Sequence, residues 1–575
     1  MTNSNEVSSR TFRSLGIAAA FVVAICFATA TPASAQTFTV LVRLNGTNGT
    51  SPGTLVQGID GNLYGTAYYG GSTNCTWGYG GCGTVFKMTP SGTLTTLYQF
   101  CTQAGCADGA SPSGLVLATD GNFYGITTNG GSNICTGNFG NGCGTVFKMT
   151  AAGKLTTLYS FCVQAPCTDG QKPISIMQAA DGNFYGGTID GGARGYGVIF
   201  KVTAAGKLTN LHSFVSTDGD TPWGTLVQSS DGTFYGTTVY GGTNSAGTVF
   251  KITSSGTLTM LHSFTLAEGG WPYGNLVQAT DGNFYGTASG IGNKNPGTVF
   301  KVTPAGILTT LYTFCSQANC TDGEVPQAGL VQATDGNFYG VTLNGGDPAC
   351  IAQGRSGCGT VFEITPGGTL TTLHSLENSD GYWPKSTLLQ HTNGNFYGTT
   401  QNGGPGNGTV FSLDMGLGPF VSLLRNPSRV GQIFGVLGQG LAGTSSVSFN
   451  GTPASFKVLK DTLLTATVPA GATTVPITVT TPGGVLTSNT TFRVIPQIQT
   501  FNPTSGPVGT VVTITGISLT QTTQVSFGNQ VPASFTVISD RKVTATVPSG
   551  AVTGQIAIQT PGGTAVSSAV FTVTQ

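Results

Sequence analysis

One hexapeptide, DGNFYG or a near copy of it, begins at Asp60, Asp120, Asp181, Asp231, Asp281, Asp335 and Asn393, at spacings of 60, 61, 50, 50, 54 and 58 residues. A chain built this way folds as stacked or cyclic copies of one supersecondary unit, because no single copy can bury its own apolar face. A second landmark, GTVF, starts at Gly83, Gly144, Gly197 (as GVIF), Gly247, Gly297, Gly359 and Gly408. A third, LTTLYSF in variants, starts at Leu94, Leu155, Leu208, Leu258, Leu308 and Leu370, which is six copies and not seven. The missing copy stands at the front, where residues 37–44 (TFTVLVRL) carry the same alternation.

Each repeat reads as four short strands. In the second they are residues 114–119, 123–128, 145–150 and 155–161, rich in Val, Phe, Tyr and Thr and bounded by Gly, Asn or Asp. The Asp-Gly-Asn between the first two strands is hairpin chemistry, since Gly and Asn tolerate positive φ. Seven four-stranded units predict an all-β, seven-bladed β-propeller over residues 36–414. Its last blade has three strands of its own and borrows residues 37–44 as the fourth, which pairs otherwise open edges. A solenoid is the alternative, but it needs capping repeats and does not predict a displaced end strand.

Composition agrees. Charged residues are only 8 % of the chain, with 22 basic against 22 acidic, while 38 % is hydrophobic; such a chain can bury cores and is not of the disordered class. Near-zero net charge gives no electrostatic case for nucleic acid or an anionic membrane. Residues 1–35 read as a secretory signal peptide: Arg10 and Arg13, an apolar run from Leu15 to Ala30, and Ala33-Ser34-Ala35 before a cleavage at Gln36. Cys26 lies in that run behind Ile25, which is too large for a lipoprotein site. No other apolar stretch approaches the length of a membrane span. A secreted, extracellular or cell-surface protein is expected.

Beyond Asp414 the repeat stops, and residues 415–419 (MGLGP) read as a linker. VSF recurs at Val447 and Val525, ATVP at Ala466 and Ala545, and TPGG at Thr481 and Thr560, at offsets of 78, 79 and 79 residues. These tandem copies, residues 415–496 and 497–575, predict two small immunoglobulin-like sandwiches. Neither contains Cys, so each must be held by its apolar core.

The motif set NFYGTT, GG, GTVFK, LTTLYSF and DGxxP over about residues 37–414 resembles the Gloeo/Verruco (GloVer) tandem-repeat proteins, exported bacterial proteins of unassigned activity. The fifth copy departs by reading Gly290-Ile291-Gly292 in place of the double Gly, and the seventh by Asn393. FNPTSGPVGTVVTITG at residues 501–516, with the VSF and TVP strings, makes the tail resemble two IPT/TIG domains. That resemblance implies an Ig-like spacer or binding module and carries no catalytic residue set onto this chain.

Twelve Cys follow the leader, in six local pairs: Cys75 with Cys82, Cys101 with Cys106, Cys135 with Cys143, Cys162 with Cys167, Cys315 with Cys320, and Cys350 with Cys358. Even number, local pairing and an export signal predict six disulfides. Zinc is disfavoured, since no CxxC occurs and no His lies in these loops. All six pairs fall in the loop between the second and third strands or in the crossover to the next blade, and both emerge on one face of a propeller. Stiffened loops lose less entropy on binding, as a recognition surface requires. The four Trp share those loops: Trp77 between strands, and Trp223, Trp271 and Trp383 beside the Pro that opens the next blade. With Tyr79, Phe139, Tyr273 and Tyr382 they form the candidate ligand-binding set, suited to sugar rings or a protein partner. The competing reading is that these rings pack between blades.

Catalytic chemistry is scarce. His212, His262 and His374 fill the slot held by Tyr98, Tyr159 and Tyr312 in sister repeats, which favours packing over acid–base work. His391 replaces the Ala of the QATDGN string, and no GxSxG, HExxH or phosphate loop is present. Of 17 Asp, six open the DGN turns and five open DGxxP loops, leaving no privileged pair for a glycosidase. Asp218 and Asp220 in a DGD string invite Ca²⁺, but a turn role is favoured. The reading is a non-catalytic binding protein with no cofactor or metal, whose partner is an extracellular polysaccharide or surface protein. The alternatives are a polymer-degrading propeller hydrolase or lyase and a purely structural envelope component.

Overall fold

The computed structural model describes residues 36–75, 80–133, 135, 142–290, 295–352, 354–403 and 406–575. The described residues are β throughout apart from three short 3-10 turns, and none of their helices is long and apolar enough to cross a membrane. The repeats give seven four-stranded antiparallel sheets, six of which run in strict chain order. The third repeat is representative, with strands Gln171–Gln178, Phe184–Asp190, Val198–Val202 and Leu208–Ser213. The second strand of each repeat, such as Phe234–Thr238, is buried on both faces, so it lies between sheets.

The seventh sheet is composite. Strand Thr37–Arg43 pairs with Thr409–Asp414, outside Phe396–Thr400 and Leu389–Gln390. Its register breaks between Val40 and Val42, opposite Phe411 and Val410. Ordinary repeats break at the same place, as between Val249 and Phe250, where the fourth strand bulges at Leu261. The front strand therefore reproduces the fourth strand down to its bulge, and a repeated bulge is a built feature, not a defect.

Contacts between sheets repeat around the whole series and include the last against the first. The Tyr of each FYG stacks on the Phe of the next FYG, as Tyr235 does on Phe284 at 4.1 Å, and Tyr397 closes against Leu63. The Gly of GTVF has no room for a side chain because the next repeat's Pro covers it. A Cβ on Gly247 would sit 2.7 Å from Pro272, and one on Gly408 would sit 2.7 Å from Pro52. Gln57 accepts from Thr392 N at 3.0 Å, as Gln228 does from Ala180 N at 2.9 Å. The seven sheets thus form a closed ring.

The tail holds two units with equivalent strand order. In the first, Ser422–Leu423, Ile433–Leu437, Leu463–Thr467 and Phe456–Lys460 face Thr452–Pro453, Ser446–Phe449, Ile477–Thr481 and Gly484–Thr487. The second repeats this with Gln497–Asn502, Val511–Ile517, Lys542–Thr546 and Phe535–Ser539 as one sheet. Each closes on an aromatic core, Phe434, Phe449 and Phe492 in one and Phe501, Phe527 and Phe571 in the other.

Candidate functional site

The six disulfides pair as the spacing predicts. Cys101 with Cys106, Cys162 with Cys167, and Cys315 with Cys320 close crossovers. Cys75 with Cys82, Cys135 with Cys143, and Cys350 with Cys358 close loops between second and third strands. The sulfurs lie deeper than the loops they close. Cys82, Cys106, Cys143, Cys167 and Cys358 are buried and Cys320 is half-buried, so the second sulfur of each pair anchors its loop from beneath. The sulfurs of Cys135, Cys143 and Cys167 lie within 4.8 Å of one another, a spacing that could hold a metal. Each is tied up in a disulfide, however, and offers no thiolate as a ligand.

Six of the seven crossovers also carry a side-chain clasp; the one that follows the front strand has Val42 in the corresponding slot. Where a disulfide is present, Tyr98, Tyr159 and Tyr312 donate to Asp108, Asp169 and Asp322 at 2.8, 2.7 and 2.7 Å. Burial, reinforced by Asp108, pushes Tyr98 up to about 12, so its hydroxyl keeps the proton it donates. Where the crossover is shorter and lacks Cys, His212, His262 and His374 meet Asp218, Glu268 and Asp380 at 3.0, 3.2 and 2.9 Å. These histidines hold their own loops shut, a more specific role than packing between sheets.

The clasped crossovers end in a repeated strain. The residue before each strand-opening Pro has positive φ in all seven repeats: Ser51, Ser111, Lys172, Thr221, Trp271, Val325 and Trp383, between 54° and 62°. Its N–H is spent on the preceding repeat, as from Trp271 to Ala246 O at 2.8 Å and from Ser51 to Asn407 O at 3.1 Å. Left-handed backbone in non-Gly residues persists only where the surroundings over-determine it. The consequence is geometric, because the residue after the Pro is turned toward the ring centre.

Those seven residues, Gly53, Ser113, Ile174, Trp223, Tyr273, Gln327 and Lys385, all line one central cavity of about 430 Å³. The ends of second strands also reach it, with Tyr68, Tyr69, Thr128 and Gln401, so the cavity opens at the end that carries the disulfide loops. The Pro is constant in all seven repeats, and the position after it holds seven different side chains. Its order around the ring is sided: small in repeats 1 and 2, apolar and aromatic in 3 to 5, polar and cationic in 6 and 7. Trp223 stands edge-on to Tyr273 at 5.4 Å, and the Tyr273 hydroxyl is 3.0 Å from that of Tyr240. Lys385 lies 5.9 Å from the Trp383 ring, and Gln401 keeps a buried side-chain oxygen without a hydrogen-bond partner. The lining residues include no Asp, Glu, His or Cys, so the disulfides support this site without touching it.

Of the predicted binding residues, Trp223 and Tyr273 come together in the cavity wall. Trp271 sits one position earlier and packs at 6.2 Å against Tyr240 on the rim, while Tyr382 packs against Trp383 at 5.5 Å. Trp77, Tyr79 and Phe139 lie outside the described residues. Lys385, Gln327 and Ile174 were missed by a reading that sought aromatics. Aligning the repeats on their Pro and taking the residue after it finds them.

The opposite, turn-bearing end is occupied by the tail. Thr462 donates to Ile59 O at 2.9 Å and Gln439 to Thr392 at 3.2 Å. Under this junction His391 is fully buried, its Nε2 donating to Gly61 O at 3.0 Å and its Nδ1 accepting from Asn393 N at 3.2 Å. Both nitrogens are committed to the neutral ring, and burial holds its pKa below the ordinary 6.5. On acidification the unfolded chain takes this proton first. The stabilisation is therefore whole above about pH 6.5 and is lost as pH falls toward the folded value, by at most about 1.4 kcal/mol per pH unit. Thermal melts of His391→Ala should lose less stability than wild type between about pH 7.5 and pH 5. Parallel curves would show that His391 is not the acid-sensitive group.

A closed ring of repeat-built sheets with a central cavity and a tandem β tail defines the class. The chain matches the Gloeobacter/Verrucomicrobia repeat over residues 27–164, 134–352 and 317–491, and it belongs to that family. It also matches the IPT/TIG domain over residues 496–573. Only that one TIG match is found where two were expected, and residues 422–487 fall inside the last repeat match. No curated protein matches the chain. Among solved structures it is similar to a fungal alcohol oxidase of the AA5 family in complex with copper, at 12% identity over 94% of this chain and 99% of that one, TM-score 0.43. It is similar to the periplasmic gluconolactonase of Pseudomonas aeruginosa at 17% identity, over 64% of this chain and 97% of that one, TM-score 0.39. A surface glycan-binding protein of Prevotella bryantii shares 18% identity over 27% of this chain and 38% of that one, TM-score 0.21.

Proposed function

We propose that this is a secreted, non-catalytic binding protein: a seven-bladed β-propeller, carried on two Ig-like units, that holds an extracellular polysaccharide at its loop-bearing face. Six disulfides and the TIG domain fit an extracellular protein, and residues 1–35 serve in this reading as a cleaved signal peptide. The observation that carries it is the cavity ring, to which every repeat contributes the side chain after its Pro. Its volume falls in the roughly 300–1,000 Å³ of small-ligand sites. Edge-on Trp223 and Tyr273 offer apolar faces to a sugar ring, and Gln327 and Gln401 offer partners for hydroxyls. With no carboxylate or His in the wall, binding is the better supported activity. The tail on the turn face leaves this end free.

Residues 36–575, produced under oxidising conditions and titrated with a polysaccharide panel, should show a saturable change in Trp fluorescence. Trp223→Ala should weaken that binding about tenfold or more, as for a central aromatic anchor. A flat response across the panel would refute glycan recognition and leave a protein partner or a structural role.

A further inference from the structure

Charge in the cavity is one-sided. Among the residues lining it, Lys385 alone is ionisable near neutrality, and Tyr68, Tyr69 and Tyr273 are the only other titratable groups. Among the described residues Lys385 makes no ion pair, whereas Lys87, Lys148, Lys172, Lys201 and Lys301 are each matched to an Asp. Its nearest recorded partner is the face of Trp383 at 5.9 Å. Although the residue as a whole stays accessible to solvent, protein atoms crowd the ammonium, and this burial draws its pKa below the ordinary lysine value. An ammonium in a cavity wall with no internal counter-ion gains from an anion brought by a ligand. Its place in the ring adds geometry: Lys385 stands two repeats beyond Tyr273, with Gln327 between them, so the cation and the aromatic arc face the same cavity.

We propose that the cavity selects acidic sugars, with Lys385 pairing the carboxylate of a uronate unit whose ring stacks on Trp223 beside Tyr273. This rests on the polysaccharide-binding reading above and specifies its ligand class. A uronate fits better than a peptide carboxylate, because the wall supplies an aromatic face for its ring and side-chain amides near the cation for its hydroxyls.

The test compares oligogalacturonate and alginate oligomers with their carboxyl-reduced counterparts, which keep the same backbone and linkage but carry a hydroxymethyl group. Calorimetric titration of wild type should favour the acidic form by about tenfold or more, in keeping with one charge-assisted contact. Lys385→Met should bring the two forms to within about twofold while leaving the thermal melt unchanged, and Lys385→Arg should restore the preference. Equal affinity for both forms in wild type, or an acidic preference indifferent to Lys385→Met, overturns the uronate proposal. If Trp223→Ala still abolishes that binding, the polysaccharide reading survives without it. No binding of any oligomer overturns both, and binding confined to peptides with a free C-terminal carboxylate, lost on amidation, overturns the sugar class.

Discussion

Deleting residues 36–44 is expected to open the ring, and this is the largest single effect the structure implies. The strand makes the whole outer edge of the seventh sheet, from Thr37 opposite Asp414 to Arg43 opposite Thr409. Phe38 stacks on His374 at 3.8 Å and reaches Phe411 at 4.9 Å, and Leu44 is fully buried at the seam between the last and first sheets. Losing Leu44 alone costs about 2–5 kcal/mol by analogy with other core Leu truncations. Removal of the strand also exposes the Thr409–Asp414 edge, a template for intermolecular pairing. Denaturant unfolding should show a loss of several kcal/mol, and size-exclusion chromatography should show association. A truncated protein that remains monomeric with an unchanged midpoint would refute strand closure.

Next in size is the pairing of FYG glycines with GTVF rings. Gly236 and Phe250 are cross-strand neighbours, and a Cβ on Gly236 would lie 2.7 Å from Phe250 Cζ and 2.7 Å from Leu226 Cδ2. The ring lies over the glycine and fills the space a side chain would take, the device by which aromatics protect strand glycines. Phe250→Ala should cost about 3–5 kcal/mol, since the ring is fully buried. Gly236→Ala should cost about 1–3 kcal/mol by overpacking. The pair should be strongly non-additive, because the clash disappears once the ring is shortened: Gly236→Ala made in Phe250→Ala should cost markedly less than in wild type. Additive costs in chemical denaturation would mean that the glycine is there for another reason.

Most of the scaffold was legible because it is local chemistry written repeatedly. DGN turns, strand alternation and short-range Cys pairs each depend on residues within about ten positions of one another, and such signals survive without knowledge of the fold. Pairing is local in this sense, but burial is not: nothing in the spacing of Cys350 and Cys358 says that both sulfurs lie beneath their loop. The displaced fourth strand was readable from a missing landmark. The first tail unit was less secure: its VSF, TVP and TPGG strings mirror the second unit and its strand order agrees, yet the TIG match covers only residues 496–573. The crossover histidines were harder to assign, since a His at Tyr's place gives no hint that each takes a carboxylate six residues on.

Sequence by itself determined that this chain is a repeated, all-β, disulfide-bearing protein with a distinct tail, because periodicity and turn chemistry act over a few residues. It could not separate Trp271 from Trp223, since both simply adjoin a Pro. Tertiary structure separated them. The residue after each Pro lines the central cavity, whereas of the left-handed residues before it only Ser51 does. Cyclic closure then gathers seven positions that lie some 50–60 residues apart in the chain into one wall. That convergence depends on every sheet-to-sheet contact at once, which no local pattern encodes, and it placed Lys385 among the aromatics.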